Sequence, residues 1–382
     1  MMFTKLFSLT PGHCQVAWAT CLSLLLTCLC SRPFGQRASG DFNADTVRAT
    51  VIEVAATISR EYMDAAVAER VADALRRRLT EGQYLSIATP EALAARLTHD
   101  LLVESQDKHL AVAVVPASAS TTPAAPAANT REQGVRRTNA GVQRVEILAG
   151  NVGYLNLTAF WRAEEAQEII GDAMRLLRRA DALIIDLRQN SGGSPETVAL
   201  TAAYLFDQAG LSLFQIVPRS GVPVAYATPT PAPGERDGRR AVYVLTSART
   251  FSAGEGFAFL LQERARAEVV GERTAGAANP GRAYRVNPWF EVTVPNGQVR
   301  SAVSGGNWES RGVKPDLEVA AADALTVAHA RALKRLIEGA DGDWRVRLEQ
   351  ILQSLPTPAP HSGSKIQSRA GSSDPTRIAS RD

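Results

Sequence analysis

The sequence has few cysteines and few lysines, and the positions of both exclude several kinds of site. All four cysteines lie within the first 30 of the 382 residues, at Cys14, Cys21, Cys28 and Cys30. The rest of the chain therefore has no disulfide framework, no cysteine-based zinc site and no cysteine nucleophile. Only five lysines are present, and none of them lies in the 50 residues after Ser252.

The chain also lacks a concentration of basic charge. Its formal net charge is +3, and Lys5, Arg32 and Arg37 in the first 38 residues account for all of it. The remainder is close to neutral, so we expect no nucleic-acid partner. With 45% hydrophobic and 21% charged residues, the composition is that of a globular protein rather than a mainly disordered, collagen-like or polytopic membrane chain.

The N-terminal 38 residues resemble an export signal. Lys5 is followed by an apolar run over residues 16–30 and then by the polar Ser31-Arg32-Pro33. An apolar run of this length is shorter than a membrane-spanning helix usually needs. We therefore expect an exported protein, periplasmic or extracellular. Cleavage, retention as an anchor that associates with a membrane, and lipidation at Cys28 are all compatible with this segment.

The remaining sequence predicts a helical region followed by an α/β region. Apolar residues recur at helical spacing over residues 41–115, which predicts a small bundle of about three helices. Residues 116–141, rich in Pro, Ala, Ser and Thr, predict a linker. Short strands alternate with helices over residues 142–338, which indicates a mixed α/β core. Residues 354–382 predict a disordered tail.

Ser252 stands where a predicted strand turns into a predicted helix, in Thr250-Phe-Ser-Ala-Gly-Glu255. Ser-x-x-Glu is also a capping box, so a purely structural role for Ser252 is one interpretation. The other interpretation is a nucleophile next to the backbone N–H groups of a helix N-terminus, which can stabilise an oxyanion. The glycine pair Gly192-Gly193 can aim further N–H groups at one point.

A serine nucleophile needs a base and a group that orients this base. Of the four histidines outside the leader, His361 is in the predicted tail, and His99 and His329 fall in predicted helices. His109 lies between the helical region and an apolar run; it is either a structural histidine or the candidate base. Glu309, in a glycine-rich loop, is a carboxylate that could orient it.

Four segments together resemble the S41 peptidases, the family of tail-specific or C-terminal processing proteases. They occur in the order of the family's motifs: Asp186-Leu-Arg-Gln-Asn-Ser-Gly-Gly193, Thr250-Phe-Ser-Ala-Gly-Glu255, Val270-Gly-Glu-Arg-Thr-Ala-Gly276 and Asn307-Trp-Glu-Ser-Arg-Gly-Val-Lys-Pro-Asp316. The helical region and the segment Gly150-Asn-Val-Gly-Tyr-Leu155 are similar to the branch that contains interphotoreceptor retinoid-binding protein. The resemblance implies an α/β fold with a crotonase-like ββα spiral core preceded by a helical bundle.

The sequence departs from the processing proteases in two respects. Residues 116–141 are too few for the PDZ domain that those enzymes carry, and Ala277 occupies the position of their catalytic lysine. The resemblance therefore implies the tricorn-like triad of Ser252, His109 and Glu309, with oxyanion donors at Gly192, Gly193 and Ala253. It requires no metal or organic cofactor.

The functional prediction that follows is an exported serine peptidase acting on polypeptides. The alternative is a non-catalytic binder of retinoids, fatty acids or peptides on the same fold. An acyl-CoA enzyme is a third alternative, but the sequence has no clear CoA-binding signal.

Overall fold

The structure is a computed structural model, and it describes residues 42–116, 125–229 and 236–357, with the side chains of 125–130 left aside. The leader predicted over residues 1–38 lies outside the described residues, as does the predicted tail beyond residue 357. None of the described helices has the length and apolarity needed to cross a membrane.

Helices occupy the predicted helical region, and strands and helices together occupy the predicted α/β region. The helices are α1 (Ala44–Glu61), α2 (Ala65–Thr80), α3 (Pro90–Ser105), α4 (Ala125–Arg137), α5 (Ala163–Leu176), α6 (Pro195–Ala202), α7 (Ala253–Glu263), α8 (Ala324–Gly339) and α9 (Gly342–Ser354). The strands are β1 (Ala111–Val114), β2 (Val142–Leu148), β3 (Val152–Leu157), β4 (Ala182–Asp186), β5 (Ser212–Pro218), β6 (Val224–Ala227), β7 (Ala241–Thr246), β8 (Glu268–Gly271), β9 (Gly281–Arg285), β10 (Phe290–Pro295), β11 (Gly297–Ser301) and β12 (Leu317–Glu318).

A six-stranded mixed sheet with the order β12-β8-β7-β4-β3-β2 forms the centre of the α/β region. Its strands are parallel except for the antiparallel β2–β3 hairpin. Side chains alternate between the two faces of a strand. Leu183 and Ile185 of β4 therefore join the core beneath α5, α6 and α7, and Ile184 joins the core beneath α8. The α/β class is confirmed.

The helical region is built around a second core that the two halves of the chain share. The helices α1, α2 and α3 begin at side-chain caps provided by Asn43, Asp64 and Thr89. Their apolar faces pack on the three-stranded antiparallel sheet β1-β10-β9. Phe290 of β10 is fully buried in this core, so the C-terminal half of the chain contributes directly to the packing of the N-terminal helices.

One described segment differs from the sequence-based expectation. Residues 125–137, inside the predicted linker 116–141, form α4. The run holds alanine, arginine, glutamate and glutamine, which favour helix, although its proline and glycine content indicated a loop. Its C-terminal part packs near Trp161, since a Cβ on Gly134 would lie 3.1 Å from that ring. The division of the chain into domains remains a prediction.

Candidate active site

Two neighbouring strands of the central sheet position the first part of the site. The strands β4 and β7 are parallel and hydrogen-bonded to each other, so the loops at their carboxyl ends meet at one edge of the sheet. The Phe251 N–H donates to the Asn190 carbonyl at 3.0 Å, and the Thr250 hydroxyl donates to the Leu187 carbonyl at 2.8 Å. The two loops are thereby held side by side.

Ser252 lies at the sharp turn between β7 and α7. Its backbone has φ 53° and ψ −120°, a conformation that costs a non-glycine residue about 1–3 kcal/mol. The Ser252 N–H donates to Glu255 Oε2 at 2.8 Å, which supplies the backbone half of the predicted capping box. Its Oγ lies 3.0 Å from Nε2 of His109. The strained turn therefore presents the hydroxyl to an imidazole.

His109 reaches Ser252 from the loop between α3 and β1. Its side chain is 13% exposed, and its ring lies 4.9 Å from the Phe251 ring, centroid to centroid. Burial lowers the pKa of the imidazole, and the negative charge of Asp107 opposes this effect. The imidazole is therefore neutral at physiological pH, as a proton acceptor must be.

Glu309 completes the predicted group of three. Its Oε2 accepts from the N–H groups of Ala278, at 2.6 Å, and Asn279, at 3.1 Å. One side-chain nitrogen or oxygen atom from each of Asp107, His109 and Glu309 lies within 4.8 Å of the corresponding atoms of the other two residues. Within the described residues, His109 Nδ1 and Glu309 Oε1 are buried without a hydrogen-bond partner.

The pKa of Glu309 reflects its buried position. Burial and the nearby charge of Asp107 raise it to about 7, although the two backbone N–H donors favour the charged form. The carboxyl group therefore titrates close to neutral pH.

The predicted oxyanion donors fall into two groups. The Gly192 N–H donates to Asn190 Oδ1 at 2.9 Å, so it is already occupied within the loop. The N–H groups of Gly193 and Ala253 have no hydrogen-bond acceptor in the described part of the chain. Of the two glycines, Gly193 is thus the one with a donor to offer. A Cβ on Gly192 would lie 2.7 Å from the Ser252 Cβ, so this glycine allows the close approach of the two loops.

Glu255 lies behind Ser252 and accepts four hydrogen bonds. It is fully buried. Besides the Ser252 N–H, it accepts hydrogen bonds from the Thr274 hydroxyl and from the N–H groups of Gly276 and Ala277. Ala277 is itself fully buried, and Lys108 binds the carbonyl of the neighbouring Ala275 through Nζ. The segment that would carry a catalytic lysine is therefore a packed structural loop.

The other two histidines within the described residues, His99 and His329, lie away from this site. The His99 side chain is 70% exposed, and His329 Nε2 lies 2.8 Å from the carbonyl oxygen of Ala149. His361 lies outside the described residues. The positions of Asp107, Asn190 and Asn279 in the site were not predicted from the sequence. For Asp107 a local signal existed: an aspartate side chain often accepts the backbone N–H of the residue two positions later in a turn, and here that residue is His109.

An apolar pocket opens beside Ser252. It has a volume of about 60 Å³ and is bordered by Gly193, Ser252 and Ala253. Its walls come from α6, α7, β5, β11 and the loop after β11. They include Leu213, Phe214, Ile216, Phe259, Val299 and Trp308. This volume suits one small apolar side chain, whereas pockets for drug-sized ligands are about 300–1,000 Å³.

Family models match most of the described chain. A model described as peptidase family S41 matches residues 151–319. A second, described as the N-terminal domain of peptidase S41 in eukaryotic interphotoreceptor retinoid-binding protein (IRBP), matches residues 44–147. The two matches follow each other along the chain and cover both the helical region and the α/β region.

Individual proteins show more distant likeness. A carboxyl-terminal-processing protease of Picosynechococcus sp. is 34% identical over 126 residues, which cover 33% of this chain and only 29% of the relative. A solved structure of a lipoprotein from Streptococcus agalactiae is 13% identical, with a TM-score of 0.50, over 77% of this chain and 98% of that one. The photosystem II D1 C-terminal processing protease is 15% identical, with a TM-score of 0.46, over 72% and 94%.

Proposed function

The chain belongs to peptidase family S41, and from that premise we propose that it hydrolyses peptide bonds with Ser252 as the nucleophile. The observation that carries the proposal is the 3.0 Å distance between Ser252 Oγ and His109 Nε2. This contact joins residues that are 143 positions apart, one at the end of the helical region and the other in the α/β region. A helix cap alone would not need a buried imidazole at this place.

In the proposed mechanism, His109 acts as general base and then as general acid. Ser252 Oγ attacks the carbonyl carbon while its proton passes to His109 Nε2. The same proton is then given to the leaving amine as the C–N bond breaks, and water hydrolyses the acyl-enzyme by the reverse sequence. Glu309 supports the positive charge that the imidazole carries between these steps.

The N–H groups of Gly193 and Ala253 are the proposed oxyanion donors. Both border the pocket beside Ser252, and neither has an acceptor within the described residues. In a comparable protease, loss of one such donor costs about 10²–10³ in kcat. We assign Gly192 a structural role because its N–H is bound to Asn190.

The apolar pocket carries a proposal about substrates. A side chain next to the scissile bond would enter it, and its small volume of about 60 Å³ favours residues such as alanine or valine. A retinoid or a long fatty acid needs several times more space than this pocket has, so this pocket itself gives no support to the alternative function.

The fold detail and the location of the protein complete the proposal. We propose a crotonase-like spiral for the core, since helices flank a mostly parallel sheet whose loops carry the site. The basic start and apolar run of the leader support export to the periplasm or the cell exterior.

The experiment that tests the function compares peptide hydrolysis with ligand binding. We expect the wild type to digest unfolded casein and Ser252→Ala to lose at least about 10³-fold of this activity. Retinol and fatty acids are titrated into both proteins in parallel. Saturable uptake of these ligands, without digestion by the wild type, would favour the binder and overturn the peptidase.

A further inference from the structure

Besides Glu309, a second carboxylate lies close to His109: that of Asp107, in the same loop between α3 and β1. We propose that Asp107 is a positioning residue for His109, fixing the loop that carries the imidazole and placing a negative charge opposite Nδ1. The inference rests on the proposed function, because positioning matters only if His109 is the base. It assigns to the residue two positions before the histidine a role that the sequence motifs do not show.

The contacts of Asp107 lead to His109 on one side and to the rest of the site on the other. Its Oδ1 accepts the His109 backbone N–H at 3.0 Å and lies 3.9 Å from His109 Nδ1. Its Oδ2 accepts from the Tyr62 hydroxyl at 3.1 Å and from Asn279 Nδ2 at 3.4 Å. The Asp107 carboxylate thus links the loop of His109 to Tyr62, the residue after α1. It also links this loop to Asn279, whose N–H group binds Glu309.

Asp107 is buried without a permanently charged partner. It is 2% exposed, and among the ion pairs of the described residues its partner is His109. Burying a carboxylate without a cation costs several kcal/mol, so the arrangement is inefficient as a purely structural device. It becomes useful when the imidazole opposite it takes up a proton.

Asp100 shows what a structural buried aspartate looks like in the same helical region. It accepts from the Tyr84 hydroxyl at 2.8 Å, much as Asp107 accepts from Tyr62. It also has a guanidinium partner in Arg96, with 2.9 Å from Nε to Oδ2. The charge of Asp100 is therefore balanced by an arginine. The charge of Asp107 is balanced only when His109, its ion-pair partner among the described residues, takes up a proton.

The other groups around His109 do not make the charge of Asp107 redundant. Glu309 has a pKa raised to about 7, so it is partly neutral at physiological pH. Lys108 binds a backbone carbonyl through Nζ, the pKa of Tyr62 is raised by burial and by Asp107, and Glu255 is fully used by its four donors. Asp107 is the group that raises the pKa of His109 against the effect of burial.

The test measures the titration of His109 directly, without relying on activity. Imidazole signals of the full chain are followed by NMR against pH, and His109→Ala identifies the relevant signal. We expect Asp107→Asn to lower the pKa of His109 by about 1 unit or more, since an opposite charge at this range shifts a pKa by about 1–3 units. The matched control Asp100→Asn should leave the His109 titration unchanged.

The outcomes separate this inference from the proposed function. An unchanged His109 titration in folded Asp107→Asn overturns the positioning role even if the wild type hydrolyses peptides. A wild type without peptidase activity overturns the function, while the titration still reports on Asp107. With an active wild type, Asp107→Asn should lower kcat about 10- to 100-fold with little change in KM.

A second variant keeps the inference testable if Asp107→Asn does not fold. Tyr62→Phe removes only the hydroxyl that shares the carboxylate charge, so the pKa of His109 should rise. A constant or lower pKa of His109 in this variant contradicts the inference.

Discussion

Glu309 shows how the burial of a single carboxyl group makes the stability of the folded state depend on pH. Its pKa is raised from 4.5 to about 7, which means that folding penalises the charged form. Below about pH 4.5 the group is neutral in both the folded and the unfolded state, so it costs nothing. As the pH rises towards 7 the unfolded chain ionises first, and the folded state progressively loses stability.

Replacing Glu309 with glutamine should therefore stabilise the protein at high pH only. We expect Glu309→Gln to raise the free energy of unfolding by about 2 kcal/mol at pH 8, after allowance for partial exposure, and to change little at pH 5. Urea unfolding at the two pH values measures the difference. Equal stability of variant and wild type at pH 8 would show that the carboxylate is not held against its charge.

Single residues of the site differ in how far sequence could identify them. Ser252 and Glu309 stand in segments that resemble family motifs, and His109 follows from the shortage of other histidines and lysines. The geometry near Asp107 and Asn279 could not be predicted, because it depends on contacts between residues 172 positions apart. The choice between Gly192 and Gly193 also needed the structure, since it depends on the orientation of the Asn190 side chain.

At the scale of elements, the loop after β4 has the tightest steric requirements. A Cβ on Gly193 would lie 1.9 Å from the Phe160 carbonyl oxygen, and its φ is +136°, a region that other residues avoid. Two hydrogen bonds to Phe160 hold the backbone around Gly193 in place. The Phe160 N–H donates to the Gly192 carbonyl at 2.8 Å, and the Ser194 N–H donates to the Phe160 carbonyl at 2.7 Å.

Gly193→Ala should displace the N–H group that we propose as an oxyanion donor. We expect kcat to fall at least about 10²-fold, as for loss of one donor, together with a lower melting temperature. The matched control is Gly339→Ala at the end of α8, where an added Cβ meets nothing within 4 Å. Near-normal kcat in folded Gly193→Ala would contradict the role given to this loop.

The elements themselves were predictable where their pattern is local. Helical spacing over residues 41–115 predicted the region of α1, α2 and α3, and the alternation of short strands and helices over residues 142–338 predicted the mixed α/β core. The strands β5, β6, β9, β10 and β11 escaped the sequence analysis because their pairing partners are distant or their exposure is mixed. The pair β1–β10, for example, aligns Ala111 with Thr293, and no local pattern encodes such a partner.

At the scale of the whole molecule, the proposed catalytic residues come from both halves of the chain. His109 comes from the end of the helical region, whereas Ser252 and Glu309 come from the α/β region. The strand β10 joins these regions, because its buried side chains belong to the core of α1, α2 and α3. We therefore expect the two regions to unfold together.

Phe290→Ala tests this coupling. Truncating a fully buried phenylalanine costs about 3–5 kcal/mol, and the loss should lower a single cooperative transition seen in calorimetry. Val303→Ala, at a side chain that is 54% exposed, should change stability by about 0.5 kcal/mol or less. Two separate transitions, only one of them moved by Phe290→Ala, would show that the regions are independent.

The most direct measurement asks whether Ser252 is activated by His109 in solution. A serine-directed phosphonate is incubated with the wild type, Ser252→Ala and His109→Ala, and the labelled residue is identified by mass spectrometry. We predict stoichiometric labelling of Ser252 in the wild type, none in Ser252→Ala, and labelling slowed at least about 10²-fold in folded His109→Ala. A label that persists in Ser252→Ala, or a rate unaffected by His109→Ala, would contradict the account.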